Sequence, residues 1–396
     1  MKTQTLLLCA LCLCGLSGQS AAAVSKDSCV PVARWVSPQH PQGATLIVPA
    51  FMEKLARRQV VLLGESHDSF EHHRWQLQTV AGLYALRPDM ALGFEMFPRR
   101  VQHVLDLWVE GKLTEAEFLA QTEWHKVWNY DPALYMPLFH FARMNHIPMI
   151  ALNVERGLTT AVRERGWDAV PESQREGVSK PVPASQDYLE ELADVYLAHN
   201  RTAPETGHGK KPDLDDPGFR HFSEGQRVWD RAMAEAISRT ARQPNAPLVV
   251  GIMGSGHVMN RYGVPHQLAD LGINDVGVLL AWDVERDCAD LTPTVADAVF
   301  GVAAPAQAKS DKPRLGVLLA DVDGAVRISE VVKGSVAEGA DLRKDVVLLE
   351  VAGIPAKRAA EVSRIIQRQA PGTWLPIKIK RGEHELEVIA KFPAQK

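Results

Sequence analysis

An α/β fold, with a mainly parallel sheet flanked by helices and a small α+β domain behind it, is what this sequence predicts, and three observations predict it. Apolar runs of strand length alternate with longer amphipathic stretches from Val60 to Trp282, the pattern of crossovers that return to one parallel sheet. Two runs, Val60-Val61-Leu62-Leu63 and Leu248 through Met253, each end in a glycine turn that presents a histidine: Gly64-Glu65-Ser66-His67 and Gly254-Ser255-Gly256-His257. From Gly301 to Pro313 the chain turns small, polar and proline-punctuated before new apolar runs begin, which reads as a linker.

Length agrees with two domains, because 396 residues exceed the ~100–200 usual for one. The 44 basic and 48 acidic residues leave a net charge of −4 without a basic block, so no nucleic-acid partner is expected. The first residues read as an export signal over 1–23. Lys2 supplies the positive start, Leu6 to Leu16 the apolar core, and Ala21-Ala22-Ala23 the cleavage site, which makes Val24 the mature start. A lipoprotein with Cys14 acylated is the competing route, disfavoured because Leu13 is bulky where a small residue is wanted. Either route places the protein in the periplasm or at the periphery of the outer membrane. Cleavage at Val24 leaves Cys29 and Cys288; in an exported protein such a pair suits one disulfide, with two unrelated thiols as the alternative.

The first domain is expected over 24–300. Its strands are read at Val60–Gly64, Ala91–Glu95, Pro148–Asn153, Leu248–Gly254 and Val276–Trp282. Helices fill the intervals. Leu77, Val80, Ala81 and Tyr84 recur at helical spacing within Ser69–Leu86. Arg100–Val109 is a second helix. Thr114 stands three residues before Glu117 and opens a third, to Thr122, in capping-box fashion. Leu134–Asn145 and Phe222–Arg242 follow. The interval from Gly166 to Gly225 is broken by six prolines, among them Pro181 and Pro212; a helix is read near Gln186–Asn200 and a flexible stretch over Arg201–Arg220, which carries His208.

Strand ends at the carboxyl edge of an open α/β sheet collect ligands. Glu65, His67, Glu95 and His257 all fall at such ends and form the candidate metal or polar pocket. Carboxylates beside imidazoles can bind a divalent metal such as zinc, manganese or iron, or can orient and activate a water. Turn capping and satisfied backbone groups are the competing account of the same four residues. The densest aromatic stretch runs from Trp124 through Tyr130 to Tyr135; ordinary core packing is its competing account. Gln226 and Asp230, four apart on one helix, share a face that points to the pocket or to solvent.

Val60–His73, Gly93-Phe94-Glu95-Met96-Phe97, Tyr135-Met136-Pro137-Leu138, Ile150–Asn153, Gln226–Ala234 and Gly254–Pro265 together resemble the ChaN-like haem-binding uptake proteins. That family is kin to the Tiki-type metalloproteases and the erythromycin esterases. The resemblance implies haem as cofactor, a role in haem or iron uptake or handling in the bacterial envelope, an outer-membrane receptor as partner, and tyrosine ligation at a subunit contact, hence a homodimer. Tyr135 stands in a matching motif and is named first as axial ligand, followed by Tyr130 and His72; Arg99, Arg100 and Arg156 are candidates for the propionates. The superfamily kinship implies a second function, a metal-dependent peptidase or esterase.

Residues 314–393 resemble a PDZ domain of the bacterial protease-associated type. Leu315-Gly316-Val317-Leu318 stands at the carboxylate-binding loop, Ile328–Ala337 at a strand followed by a Gly-Ser-x-Ala helix start, and Asp345–Gly353 at the Gly-Asp-x-Ile-x-x-Val-x-Gly strand. Lys344 replaces a glycine and Asp341 is an extra residue. The resemblance implies that a C-terminal or internal peptide adds as a strand beside Leu315, Gly316, Val317 and Leu318; docking on the protein's own first domain is the alternative.

Overall fold

The structure, a computed structural model, describes residues 28–39, 44–128, 130–200, 214–304, 313–370 and 372–393. The expected signal segment, His208 and residues 305–312 of the expected linker lie outside the described residues. The chain separates into two compact units, Met1–Pro305 and Ala306–Lys396.

The first unit carries β1 (Trp35–Ser37), β2 (Ala44–Thr45), β3 (Val60–Glu65), β4 (Met90–Pro98), β5 (Met149–Asn153), β6 (Leu248–Gly254), β7 (Val276–Asp283) and β8 (Ala298–Val302). They form one sheet in the order β2-β1-β8-β7-β3-β6-β4-β5. Strands β3 through β8 pair in parallel, while β1 runs antiparallel to β2 and β8. The helices are α1 (Val48–Ala56), α2 (Phe70–Leu86), α3 (Gln102–Val109), α4 (Glu115–Gln121), α5 (Trp124–Val127), α6 (Met136–Met144), α7 (Arg156–Arg165), α8 (Gln186–Asn200), α9 (Pro217–Ala241) and α10 (Val264–Asp270). Among the described residues no helix is long and apolar enough to cross a membrane.

Side chains alternate across a strand, and here both faces of the sheet are covered. On β3, Val61 and Leu63 pack with α2, α3 and α6 in one core cluster, whereas Val60 and Leu62 pack with α9 and α10 in a second. The central strands therefore read as continuous apolar runs, as strands buried on both faces do. Full burial of each such side chain stabilises the fold by roughly 1.5–3 kcal/mol. The local signals also hold: Thr114 and Glu117 form the reciprocal capping box at the start of α4, and Ser69 accepts from the His72 N–H at the start of α2.

Several elements escaped the sequence reading. Short β1 and β2 and helices α1, α7 and α10 were not expected. Pro217–Arg220, read as part of a flexible stretch, is the first turn of α9: Pro217 occupies an early helical position and Asp216 accepts from the Phe219 N–H at 2.8 Å, so the residues that suggested a loop start a helix. Gly301 and Val302, read as the start of the linker, complete β8, where Gly301 pairs with Trp282. Cys29 and Cys288 are not joined by a disulfide in the structure.

In the second unit, β9 (Val317–Val322), β10 (Ala325–Val331), β11 (Val347–Val351), β12 (Ile354–Pro355), β13 (Trp374–Arg381) and β14 (His384–Lys391) accompany α11 (Val336–Gly339) and α12 (Ala359–Gln367). The antiparallel sheet runs β14-β13-β11-β10-β9, with β12 beside β11, so β9 is an edge strand. Val326, Ile328, Leu348, Val351, Val362 and Ile377 fill its own core.

Gly64 shows how tightly the first unit closes around the end of β3. A Cβ there would collide with Leu280 and lie 2.8 Å from Val258 Cγ2 and 3.1 Å from the Ser255 backbone. Gly64→Ala is expected to lower unfolding free energy by about 1–3 kcal/mol, the usual cost of overpacking; urea denaturation of the variant beside the parent measures it, and an unchanged midpoint would refute the close packing described.

Candidate functional site at the carboxyl edge of the sheet

Parallel register brings three strand ends together. Glu65 of β3 lies opposite Gly254 of β6, and Phe94 of β4 lies opposite Ile252 of the same β6. Pleating then sends the two acids apart. Glu65 follows Val61 and Leu63 onto the α2/α6 face, while Glu95, between Phe94 and Met96 of that face's core, is turned to the α9 face. Both carboxylates are buried, at 2% and 0% exposure, so each must be paired.

Glu65 is paired three times. His67 Nδ1 and the Tyr135 hydroxyl donate to its Oε1, each at 2.8 Å, and His73 Nδ1 lies 2.8 Å from its Oε2. Burial alone would raise its pKa; the His67 and His73 contacts outweigh burial and lower it to about 2. The second ring nitrogen of His73 donates to the His67 carbonyl at 3.2 Å, and against burial Glu65 raises this imidazole's pKa. Tyr135 is raised far above its ordinary value, by burial first and then by the Glu65 charge.

His257 anchors the other face. Its Nδ1 donates to Asp230 Oδ1 at 2.6 Å and its Nε2 lies 3.3 Å from Glu95 Oε1. Asp230 also accepts from the Tyr188 hydroxyl at 3.0 Å, and Glu95 Oε2 accepts from the Gly254 N–H at 2.6 Å. Burial opposes a charged imidazole, yet the Glu95 charge and the Asp230 hydrogen bond prevail and raise His257 to about 10. Glu95 is lowered, against burial, by the charge and contact of His257. Asp230 is raised, since complete burial outweighs its His257 and Tyr188 partners.

His67 bridges the two clusters. Its ring lies over Gly254, where a Cβ would stand 2.9 Å from its Cε1 and 3.6 Å from Glu95 Oε2. A side chain at position 254 would displace the imidazole, which is the local reason for glycine there. Burial lowers the pKa of His67, but the Glu65 hydrogen bond and the Glu95 charge raise it overall. Its side chain remains 27% exposed, and the Trp128 and Tyr130 rings stand 4.6 and 5.3 Å from it. Tyr130 is 37% exposed. The result is a buried acid–imidazole floor with one imidazole and one phenol at an aromatic mouth.

The four pocket residues thus converge, and the structure adds His73, Tyr135, Asp230 and Tyr188. The other expected residues are placed as follows. Among the described residues no group of three or more His, Cys, Asp or Glu could hold a metal ion; the polar atoms of Glu65, His67, Glu95 and His257 are turned on one another instead. Tyr135, expected as an axial haem ligand, is fully buried, with its hydroxyl committed to Glu65 and its ring stacked on Phe139. His72, expected in the same role, is 4% exposed; its Nδ1 accepts from the Ser66 N–H at 2.9 Å and its Nε2 donates to Asp283 at 3.2 Å, so both nitrogens are engaged. Of the three arginines expected at propionates, Arg99 donates to the Ala232 carbonyl and Glu235, and Arg100 pairs with Glu123 and Glu155. In the second unit, Leu315 is buried in the core, Gly316 has a φ of 82° with Ser335 where a Cβ would be, Val317 and Leu318 open β9, and Leu318 is 55% exposed.

The family described as haem-binding uptake, Tiki superfamily, ChaN has a model that matches residues 51–268. Among solved structures, ChaN of Campylobacter jejuni, described with cofacial haem binding, is similar at 18% identity and a TM-score of 0.51 over 67% of this chain and 95% of that one. The HtrA3 PDZ domain bound to a phage-derived ligand is similar at 18% identity and a TM-score of 0.18 over 20% of this chain and 83% of that one. A serine endoprotease from Yersinia pestis reaches 18% identity and a TM-score of 0.19 over 21% and 29%. No curated protein matches the chain.

The raised His257 pKa sets a pH dependence of stability. Its folded value of about 10 exceeds the unfolded ~6.5, so its contribution is complete below about pH 6.5 and is lost as pH rises through about 10. Urea unfolding should show stability falling across that window, with a shallower fall in His257→Gln, and a lower starting stability by about 3–5 kcal/mol because two buried carboxylates lose their cation. Identical slopes in parent and variant would refute the charged assignment.

Proposed function

We propose, from the premise that this chain belongs to the haem-binding uptake family of the Tiki superfamily typified by ChaN, that it binds haem at the aromatic mouth of the acid–imidazole pocket. The observation that carries this reading is the pairing of an exposed Tyr130 phenol with the partly exposed His67 imidazole beside Trp128. Haem needs an apolar face, an axial ligand within reach and polar groups at its edge. The Trp128 and Tyr130 rings supply the face, the Tyr130 oxygen is the reachable ligand, and His67 stands ready to donate a hydrogen bond. Ferric iron supplies a positive charge that favours the phenolate. Without such a cation Tyr130 holds its proton, since burial and the Asp68, Glu95 and Glu65 charges raise its pKa. The buried floor keeps His67 in place: Glu65 fixes one ring nitrogen, and Gly254 leaves room for the ring.

In this reading the protein is an exported carrier in haem or iron uptake, handing its ligand to or from an outer-membrane receptor, and a second copy of the chain could cover the exposed mouth. The second unit serves as a PDZ module. Edge strand β9 presents an unfilled side to an extended peptide, and the positive φ of Gly316 shapes the turn that precedes it. The exposed Leu318 lies on that strand.

Haemin titration of the purified protein tests the proposal. A saturable Soret change is expected, weakened about tenfold or more (~1.4 kcal/mol) in Tyr130→Phe and retained in Tyr135→Phe, whose hydroxyl is committed inside. A parent protein without a saturable change would end the haem reading. Loss in Tyr135→Phe alone would restore the buried tyrosine as the ligand.

A further inference from the structure

The sheet of the first unit ends at β5, and beside that strand lies a cleft of about 390 Å³, walled by Gln102 of α3 and by the last turns of α9. Small-molecule sites span roughly 300–1,000 Å³. The open edge of β5 is already used here. The Gln102 carboxamide donates to the Met149 carbonyl at 2.7 Å and accepts from the Ala151 N–H at 2.8 Å. An extended peptide therefore finds no free ladder at these residues, and the cleft is left to be filled by a ligand that reads side chains.

Two guanidiniums and no carboxylate line it. Arg99 is fixed in place: its Nη1 donates to the Glu176 carbonyl at 3.1 Å and its Nη2 to the Ala232 carbonyl at 2.8 Å. Arg239 is not. Its side chain is 59% exposed, and among the described residues its guanidinium makes no hydrogen bond, only a 3.9 Å ion pair with Glu235. That carboxylate is heavily shared. It accepts from the Ser179 N–H at 2.8 Å and hydroxyl at 2.6 Å, and it pairs with Arg99 at 3.3 Å and Arg231 at 3.5 Å. Arg239 is left weakly paired, and its charge reaches Arg99: burial first, then Arg239, lower the Arg99 pKa. Like charges meeting at one cleft favour an anion between them. Gln243, just past the end of α9, presents a carboxamide that has no partner among the described residues. Ile150 and Ala236 supply an apolar wall.

We propose that this cleft is a second ligand site, for a small organic carboxylate. The acid head lies between Arg239 and the Gln243 carboxamide, near the fixed charge of Arg99, and the apolar body lies against Ile150 and Ala236. A guanidinium offers paired donors in a planar fork that matches a carboxylate, and the Gln243 amide donates to the remaining lone pairs. None of the cleft's walls belongs to the acid–imidazole pocket, so the inference goes beyond the haem reading.

Ligand-observed NMR of benzoate titrated against the full chain, with no haem added, tests it. Saturable broadening of the benzoate signals is expected. Affinity should fall about tenfold or more in Arg239→Gln, which loses charge-assisted bonds, and about fivefold in Gln243→Ala, which loses a neutral one. Neither side chain makes an internal hydrogen bond among the described residues, so both variants should keep the parent's urea midpoint. Lys54→Gln, on α1, should leave binding unchanged. Acetate, without the apolar body, and benzamide, without the charge, should each bind at least ~10-fold more weakly than benzoate. A parent without a saturable response would overturn the proposal, as would equal affinity in Arg239→Gln, or acetate or benzamide matching benzoate. Such a failure leaves the haemin titration standing, because no haem signal is read.

Discussion

A single imidazolium held between two buried carboxylates is the constraint on which the rest of the site depends. His257 faces Asp230 on one side and Glu95 on the other, all three buried. Charges taken out of water cost several kcal/mol each before any pairing, so none of the three tolerates the absence of its neighbours. The consequence spreads outward. Asp230 fixes Tyr188 of α8, Glu95 fixes the Gly254 N–H at the end of β6, and Gly254 in turn leaves room for His67. Removing the imidazolium would loosen a helix, a strand end and the reachable imidazole together.

The sheet explains why the acids divide their work. Period-two alternation puts Glu65 on the face of α2 and α6, where His73 and Tyr135 wait, and Glu95 on the face of α9. His67 feels both carboxylates, as do the Tyr130 and Tyr135 phenols. A ligand at the mouth would therefore meet one imidazole whose charge is set from two faces of the fold at once. The same crowding turns the donor atoms inward, leaving Tyr130 and His67 as the reachable polar side chains beside Trp128.

Much of this was legible in the sequence, for physical reasons. Continuous apolar runs marked strands covered on both faces, and glycines after them marked the turns, so the convergence of residues 65, 67, 95 and 257 followed from one rule about strand ends in parallel sheets. The Thr114–Glu117 cap could be read locally because its chemistry is local. What could not be read was orientation. Tyr135 and Tyr130 are five residues apart in one aromatic stretch, yet the first is buried against Phe139 and the second stands at the mouth; no periodicity separates them, since a 3-10 turn over Pro132–Leu134 intervenes. Tyr188 was equally invisible, because its partner Asp230 lies on another helix and nothing nearby in sequence links them. Pro217 misled in the opposite direction, its loop-like character being that of a helix start.

Nitrogen-15 NMR of the histidine side chains measures the central claim most directly. His257 should show both ring nitrogens protonated at pH 8, with its titration midpoint near 10. A midpoint close to ~6.5, the ordinary histidine value, would mean that the imidazole is neutral between its carboxylates and would contradict the account.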